Sequence, residues 1–241
     1  MLGALALGRR LGLRFRAADP GGKEGGATID GAMFGLLGLL LAFVFSGASS
    51  RLDARRALIV DEANAIGTAW SRLDLLAPAH QRDLRDHLRH YLDERLAAYR
   101  TLDGHPVAKD VFAAANALQG TIWTAAVAGV RASDAAPSAS NLLLPALNAM
   151  FDISTARASA MNTHPPTIVY WMLLAIAWVA SLFAGIGIGF AGARRRLHMV
   201  AFAVVISGTV FVTIDIEHPR HGFVRIDAHD QLLLDVRAAM K

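Results

Sequence analysis

Three apolar stretches stand out along the chain, and a long segment in which polar and apolar residues alternate with a helical period separates the first from the second. The stretches cover residues 27–49, 167–191 and 197–214. A helix rises about 1.5 Å per residue, so about 20 apolar residues cross the hydrocarbon core of a bilayer. The first two stretches reach that length and the third is slightly shorter. The pattern predicts an integral membrane protein with three membrane spans.

The segment between the first two spans, residues 50–164, predicts helices outside the membrane. It is rich in alanine and nearly balanced in charge, and it has almost no strand signals. The helix of the first span continues without a breaker to about Leu76. Further helices are predicted at 81–101, at 109–131 and from Ser140 or Asn141 to Asn162. The predicted fold class is therefore all-α: a multi-pass helical membrane protein with a four-helix extramembrane bundle.

The two ends of the chain predict smaller segments. Residues 1–26 hold a short apolar run, a group of arginines and a linker rich in glycine. We expect this basic N-terminal segment to be the remnant of an earlier span. Residues 215–241 are expected to form a C-terminal interfacial segment with a short amphipathic helix that lies on the membrane or on the bundle.

Composition narrows the chemistry. Of all residues 54% are hydrophobic and none is cysteine, which excludes disulfides, thiolate catalysis and cysteine-ligated metals. The net charge of +4 comes from clustered arginines, and without a nucleic-acid motif we predict no nucleic-acid partner. No nucleophile elbow, zinc-protease helix or phosphate loop occurs, so we predict neither an enzyme nor a cofactor. His80, His87 and His90 share a helix but lack a fourth ligand, and no metal site is predicted.

The arginines also predict an orientation. One side of the membrane would carry the arginines of residues 9–16 and the run Arg194-Arg195-Arg196 between the second and third spans. Residues 9–16 and 194–196 contain no acidic residue, whereas acidic and basic residues interleave closely on the other side. The positive-inside rule then places the extramembrane helices outside the cytoplasm of a bacterial cell, with the protein in the inner membrane.

Several segments resemble the bacterial bestrophin-like family of membrane proteins of unknown function. They are residues 39–70 (LLLAFVFSGASSRLDARRALIVDEANAIGTAW), His164-Pro165-Pro166, and residues 215–231 (DIEHPRHGFVRIDAHDQ). A run within the first segment is also similar to one in bestrophin anion channels: Leu41, Phe43, Ser46, Arg51, Ala54 and Arg55. The similarity to those channels implies a pentamer around a pore lined by this helix. It also implies cytoplasmic extramembrane helices, the opposite of the orientation that the charges predict.

Polar residues recur every three or four positions along the first long helix and are candidates for lining a pore. They are Ser46, Ser50, Asp53, Asp61 and Asn64. In a channel this face would contact water and ions, whereas in a bundle it would simply be the solvated face. Arg51, Arg55 and Arg56 would raise the local concentration of anions at its end.

Two groups of ionisable residues predict further sites. Glu62, Asn148, Asp152 and Arg157 are candidates for a polar network between helices, which would fix helix register or, alternatively, take part in ion permeation or gating. Asp215, Glu217, His218 and Arg220 crowd the end of the third span. They form an interfacial ionisable cluster that is either functional or an anchor.

Pairs of glycines four residues apart lie within two of the spans. Gly31 and Gly35 lie in the first, and Gly185 and Gly189 in the second. Small residues at this spacing let helix backbones approach, so we predict close helix packing at both.

The sequence thus supports two hypotheses of function. One is a homo-oligomeric, bestrophin-like channel in the lipid bilayer that conducts small anions. The alternative is a non-conducting sensor or scaffold whose helical unit binds a ligand or a partner protein.

Overall fold

Eight α-helices make up most of the described chain, which in this computed structural model comprises residues 1–18, 26–101, 111–190, 196–217 and 222–241. The helices are α1 (Leu2–Ala18), α2 (Gly26–Arg72), α3 (Pro78–Thr101), α4 (Ala113–Arg131), α5 (Ala139–Asn162), α6 (Thr167–Phe190), α7 (Arg196–Glu217) and α8 (Asp227–Ala239). A 3-10 turn at Leu73–Leu75 follows α2. These ranges contain no strand, so the predicted all-α class is confirmed.

The chain divides into two compact units. The first consists of Met1–Ser50 and Pro165–Glu217, and the second of Arg51–His164 and His218–Lys241. We refer to them as the apolar unit and the helical unit. Helix α2 contributes its first part to the apolar unit and its second part to the helical unit. The three apolar stretches lie in α2, α6 and α7, and three helices of the described chain are long and apolar enough to cross a membrane.

In the apolar unit, α1 and α6 pack backbone to backbone. A Cβ atom added to Gly8 would overlap the carbonyl oxygen of Leu182, and one added to Gly189 would lie 2.5 Å from the carbonyl oxygen of Arg9. Gly12 and Gly185 are equally crowded by backbone atoms of the other helix. Only glycine permits so close an approach.

The prediction of close packing is therefore confirmed for Gly185 and Gly189. Gly31 and Gly35 do not meet this prediction. Within the described chain, no atom lies within 4 Å of a Cβ added to either residue. The first residues of the chain, predicted to be the remnant of a span, form α1 and supply the partner of the second glycine pair.

The helical unit has a conventional apolar core. Helix α3 buries Leu84, Leu88 and Leu92 at helical spacing, and it begins at Pro78, three residues before the predicted start. Proline suits the first turn because its missing N–H has no intrahelical acceptor there. Each buried leucine contributes about 1.5–3 kcal/mol relative to an exposed one. Helix α8, in the predicted interfacial segment, packs against α3 and places Leu233 in this core.

Candidate functional site

A carboxylate with no exposed surface lies at the centre of the helical unit. Glu62 of α2 is 0% exposed and is surrounded by groups from two other helices. The Nε of Arg95 donates to its Oε1 over 2.8 Å, and the hydroxyl of Tyr99 donates to its Oε2 over 2.9 Å. The Nη1 of Arg157 on α5 donates to the same Oε2. One side chain of α2 is thereby bound to both α3 and α5.

The network continues to the surface through Arg157. Its Nη2 donates to Oδ1 of Asp230 on α8, so a fourth helix joins the cluster. The guanidinium of Arg157 stacks on the ring of Tyr99 at 3.7 Å, and that of Arg95 lies 4.5 Å from the ring of Phe112. We call Glu62, Arg95, Tyr99, Arg157 and Asp230 the buried ionic cluster.

Mutual compensation sets the protonation states of the cluster. Burial by itself would raise the pKa of Glu62, but the charges of Arg95 and Arg157 and the hydrogen bonds from Arg157 and Tyr99 bring it below its ordinary value. Burial, and then the negative charge of Glu62, raise the pKa of Tyr99 well above its ordinary value. At neutral pH Glu62 is therefore ionised and Tyr99 is neutral, a state suited to fixing helices and unsuited to proton transfer.

Two of the residues predicted for the polar network lie outside it. Glu62 and Arg157 are joined as expected, but Asn148 and Asp152 are exposed on α5 and do not contact Glu62. Their spacing places them on the outward face of the helix, whereas Ser154 and Arg157 are buried. Their inclusion in the network is therefore corrected.

The sequence prediction missed Arg95, Tyr99 and Asp230. A signal was present on α3: Arg95 continues the spacing of the buried leucines Leu88 and Leu92 along its apolar face. An arginine at such a position requires a buried anion. No comparable signal distinguishes Asp230 from the other acidic residues of α8.

The candidate pore-lining residues share one surface of α2. Ser46, Ser50, Asp53, Asp61 and Asn64 are all exposed in the chain. Of these, Asp53 contacts Arg56 at 3.6 Å. The opposite side of the helix is buried, with Leu41 and Ala48 in the apolar unit and Ile59 and Ile66 in the helical unit.

Arg55 points away from this surface. It is 6% exposed, and its Nε and Nη2 donate to the carbonyl oxygens of Ala160 and Thr163 over 3.1 and 2.8 Å. It therefore caps the carboxyl end of α5, where carbonyl groups lack helical partners and a positive charge is favourable. The expected role in concentrating anions does not fit this position.

The predicted interfacial cluster is described only in part. Asp215 and Glu217 lie at the end of α7 and are 9% and 1% exposed. His218 and Arg220 lie outside the described residues. In the part of the chain that the structure describes, no group of three or more His, Cys, Asp or Glu side chains is arranged to hold a metal ion.

Comparison with known proteins identifies relatives of the chain. The profile of a family described as Bestrophin-like domain matches residues 31–230. No curated protein matches the chain.

The solved structures that are similar include several of a bacterial bestrophin homologue from Klebsiella pneumoniae. A variant with one substituted residue is 15% identical, with 98% of this chain and 97% of that chain covered and a TM-score of 0.73. A second variant is 14% identical, with 98% and 94% covered and a TM-score of 0.73. A structure phased with zinc is 15% identical, with 98% and 97% covered and a TM-score of 0.71. At such identity the likeness shows a shared fold.

Proposed function

The chain belongs to the bestrophin-like domain family, and from that membership we propose that it is a multi-pass protein of the bacterial inner membrane that forms a homo-oligomeric channel for small anions. The resemblance recognised in its sequence is confirmed by the family match and by the shared fold. Conduction, the ion and the oligomer are parts of the proposal.

The observation that carries the proposal is the exposed surface of α2. Ser46, Ser50 and Asn64 lie on it, on a helix whose other side is fully occupied by core contacts. Hydroxyl and amide dipoles can replace part of the hydration shell of an ion. Copies of α2 arranged around an axis would then surround a polar path.

Basic residues on the same helix supply the preference for anions. Arg51 and Arg56 are only partly buried, whereas Arg55 is used inside the helical unit. Arg56 also lies beside Asp53, and its positive charge partly offsets the negative charge of that carboxylate. Positive charge next to a narrow path raises the local anion concentration.

Chloride flux from proteoliposomes tests the proposal. We expect flux from the wild-type protein, a several-fold decrease in Ser50→Leu and Asn64→Leu, and a lower ratio of chloride to potassium flux in the double variant Arg51→Ala/Arg56→Ala. The matched control is Thr124→Leu on α4, an exposed residue of the helical unit away from α2, which should leave flux unchanged.

The oligomeric state is measured on the same samples by light scattering. No flux of chloride, nitrate or potassium from a folded oligomer would reject the channel. The alternative, a non-conducting sensor or scaffold whose helical unit binds a ligand or partner protein, would then be preferred.

A further inference from the structure

Arg157 holds two carboxylates that differ in their surroundings. Its Nη1 binds Glu62, which is 0% exposed and belongs to the core of the helical unit. Its Nη2 binds Asp230, which is 17% exposed and belongs to the surface helix α8. The arginine itself is 3% exposed, and the ring of Tyr99 fixes its plane. The inner half of the guanidinium thus has a permanent partner, and the outer half has a partner at the edge of the protein.

Charge balance makes an anion necessary at the outer half. The buried ionic cluster contains two guanidinium groups, Arg95 and Arg157, and two carboxylates, Glu62 and Asp230. Without Asp230, two buried cations would share one carboxylate, and an uncompensated buried charge is strongly destabilising. A guanidinium is also a specific receptor, because its planar array of N–H donors matches the two oxygens of a carboxylate.

Helix α8 is held against the helical unit by other contacts besides that of Asp230. Helix α8 is also held by Arg237, whose Nε and Nη2 donate to the two carboxylate oxygens of Asp93 over 2.7 and 2.9 Å. Leu233 of α8 is buried in the core, and Arg89 donates to the carbonyl oxygen of Met240. Loss of the Asp230 side chain therefore leaves a space between a docked helix and a buried guanidinium.

We propose that the outer half of Arg157 is a binding site for a small carboxylate anion. Asp230 occupies it as a tethered ligand, and a free carboxylate of similar size takes its place when the side chain is removed. The proposal does not rest on ion conduction, since no residue of the buried ionic cluster is among the candidate pore-lining residues.

Chemical rescue tests this site in the full-length protein. Asp230→Ala should lower the midpoint of thermal unfolding by about 5 °C. Replacing sodium chloride with sodium formate at constant ionic strength should restore at least half of the loss and should saturate. The wild-type protein and Asp93→Ala are the controls. Asp93→Ala also removes a carboxylate that holds α8, but from a pair whose side chains are 49% and 33% exposed, so water can replace the lost carboxylate and formate should not restore its stability.

A second variant separates charge from shape. Asp230→Asn fills the same space without charge, so it should be destabilised and unresponsive to formate. The proposal is overturned if formate stabilises Asp230→Ala no more than chloride does, or if formate stabilises the controls equally. If Asp230→Ala folds only when purified in formate, its exchange into chloride should cause aggregation. Equal loss in both salts would overturn the proposal.

Discussion

A carboxylate without exposed surface is stable only when cations and hydrogen-bond donors surround it, and Glu62 has both. Its partners come from α3 and α5, so its charge holds together helices that are distant in the sequence. The energetic importance of such a residue is seen when its charge is removed, since the two guanidinium groups remain.

Glu62→Gln should lower the free energy of unfolding by about 3 kcal/mol, because it leaves Arg95 and Arg157 short of one negative charge. The matched control is Asp61→Asn, which neutralises the preceding residue of the same helix. Asp61 is exposed, and its substitution should change stability by less than about 0.5 kcal/mol. Chemical denaturation in detergent measures both. Equal effects would show that the buried position of Glu62 does not matter.

The cluster also predicts a dependence on pH at both extremes. The pKa of Glu62 is lowered in the folded state, so its contribution to stability is present above its ordinary pKa of 4.5 and is lost as pH falls below it. The pKa of Tyr99 is raised, so its contribution is present below its ordinary pKa of 10.0 and is lost as pH rises above it.

Unfolding midpoints measured across pH check these two signs. Glu62→Gln should flatten the decline on the acid side, and Tyr99→Phe should reduce the decline above pH 10. A decline of wild-type size in Tyr99→Phe would assign the alkaline loss to another group.

Sequence reasoning found only part of the cluster. Glu62 was predicted because an acid in the middle of a bundle helix usually hydrogen-bonds a partner helix, and Arg157 was included because it lies near the candidate partners on α5. Asn148 and Asp152 were included wrongly, because their spacing alone does not say which side of α5 faces the core. Asp230 could not have been identified, since its partner depends on where α8 docks.

At the scale of the elements, glycine spacing decides which helices touch. Gly185 and Gly187 lie on the same helix, yet only Gly185 is in contact with α1. A Cβ on Gly185 would overlap the carbonyl oxygen of Leu5, which is backbone and cannot turn aside.

Gly185→Ala should therefore force α1 and α6 apart and lower the unfolding free energy by about 1–3 kcal/mol. Gly187→Ala is the control, because nothing lies within 4 Å of its added Cβ, and it should leave stability unchanged or slightly raised. Thermal unfolding in detergent compares them. A tolerated Gly185→Ala would contradict the backbone contact.

Substitution of the neighbouring residues Arg55 and Arg56 tests how the carboxyl end of α5 is stabilised. Arg55→Ala removes two hydrogen bonds from a charged donor to the end of α5 and should cost about 2 kcal/mol. Arg56→Ala removes a side chain that is 35% exposed and should cost less than about 0.5 kcal/mol. In samples of equal folded content, chloride flux should decrease more in Arg56→Ala than in Arg55→Ala.

Helix positions were more predictable than helix contacts. The long α2 was expected because no proline or helix-ending glycine follows the first apolar stretch, and α3 differed only where Pro78 starts the helix. The pairing of α1 with α6 was not predicted, since the glycines of residues 1–26 had been assigned to a remnant and a linker.

At the scale of the whole molecule, one labelling experiment decides on which side of the membrane the helical unit lies. Charge asymmetry predicts the helical unit outside the cytoplasm, and the resemblance to bestrophin channels implies the opposite. The chain contains no cysteine, so Ser138→Cys, at an exposed residue, can be labelled without background. We expect labelling by an impermeant maleimide from outside intact spheroplasts. Arg195→Cys, which lies outside the described residues, should show the opposite access. Reaction of Ser138→Cys only after lysis would reverse the orientation.

The contact of α1 with α6 has a consequence for biosynthesis. Helix α1 precedes α6 in the chain and leaves the ribosome before it, yet the glycines of α6 that receive it are made only after helices α2 to α5. Contacts between segments so far apart form late, because the intervening chain must first be ordered. During synthesis Gly8 and Gly12 of α1 therefore lack the contact with α6 until that helix has been made. A chain interrupted before α6 would expose these glycines to other helices, so α1 gains its packing partner only once translation has passed Gly189.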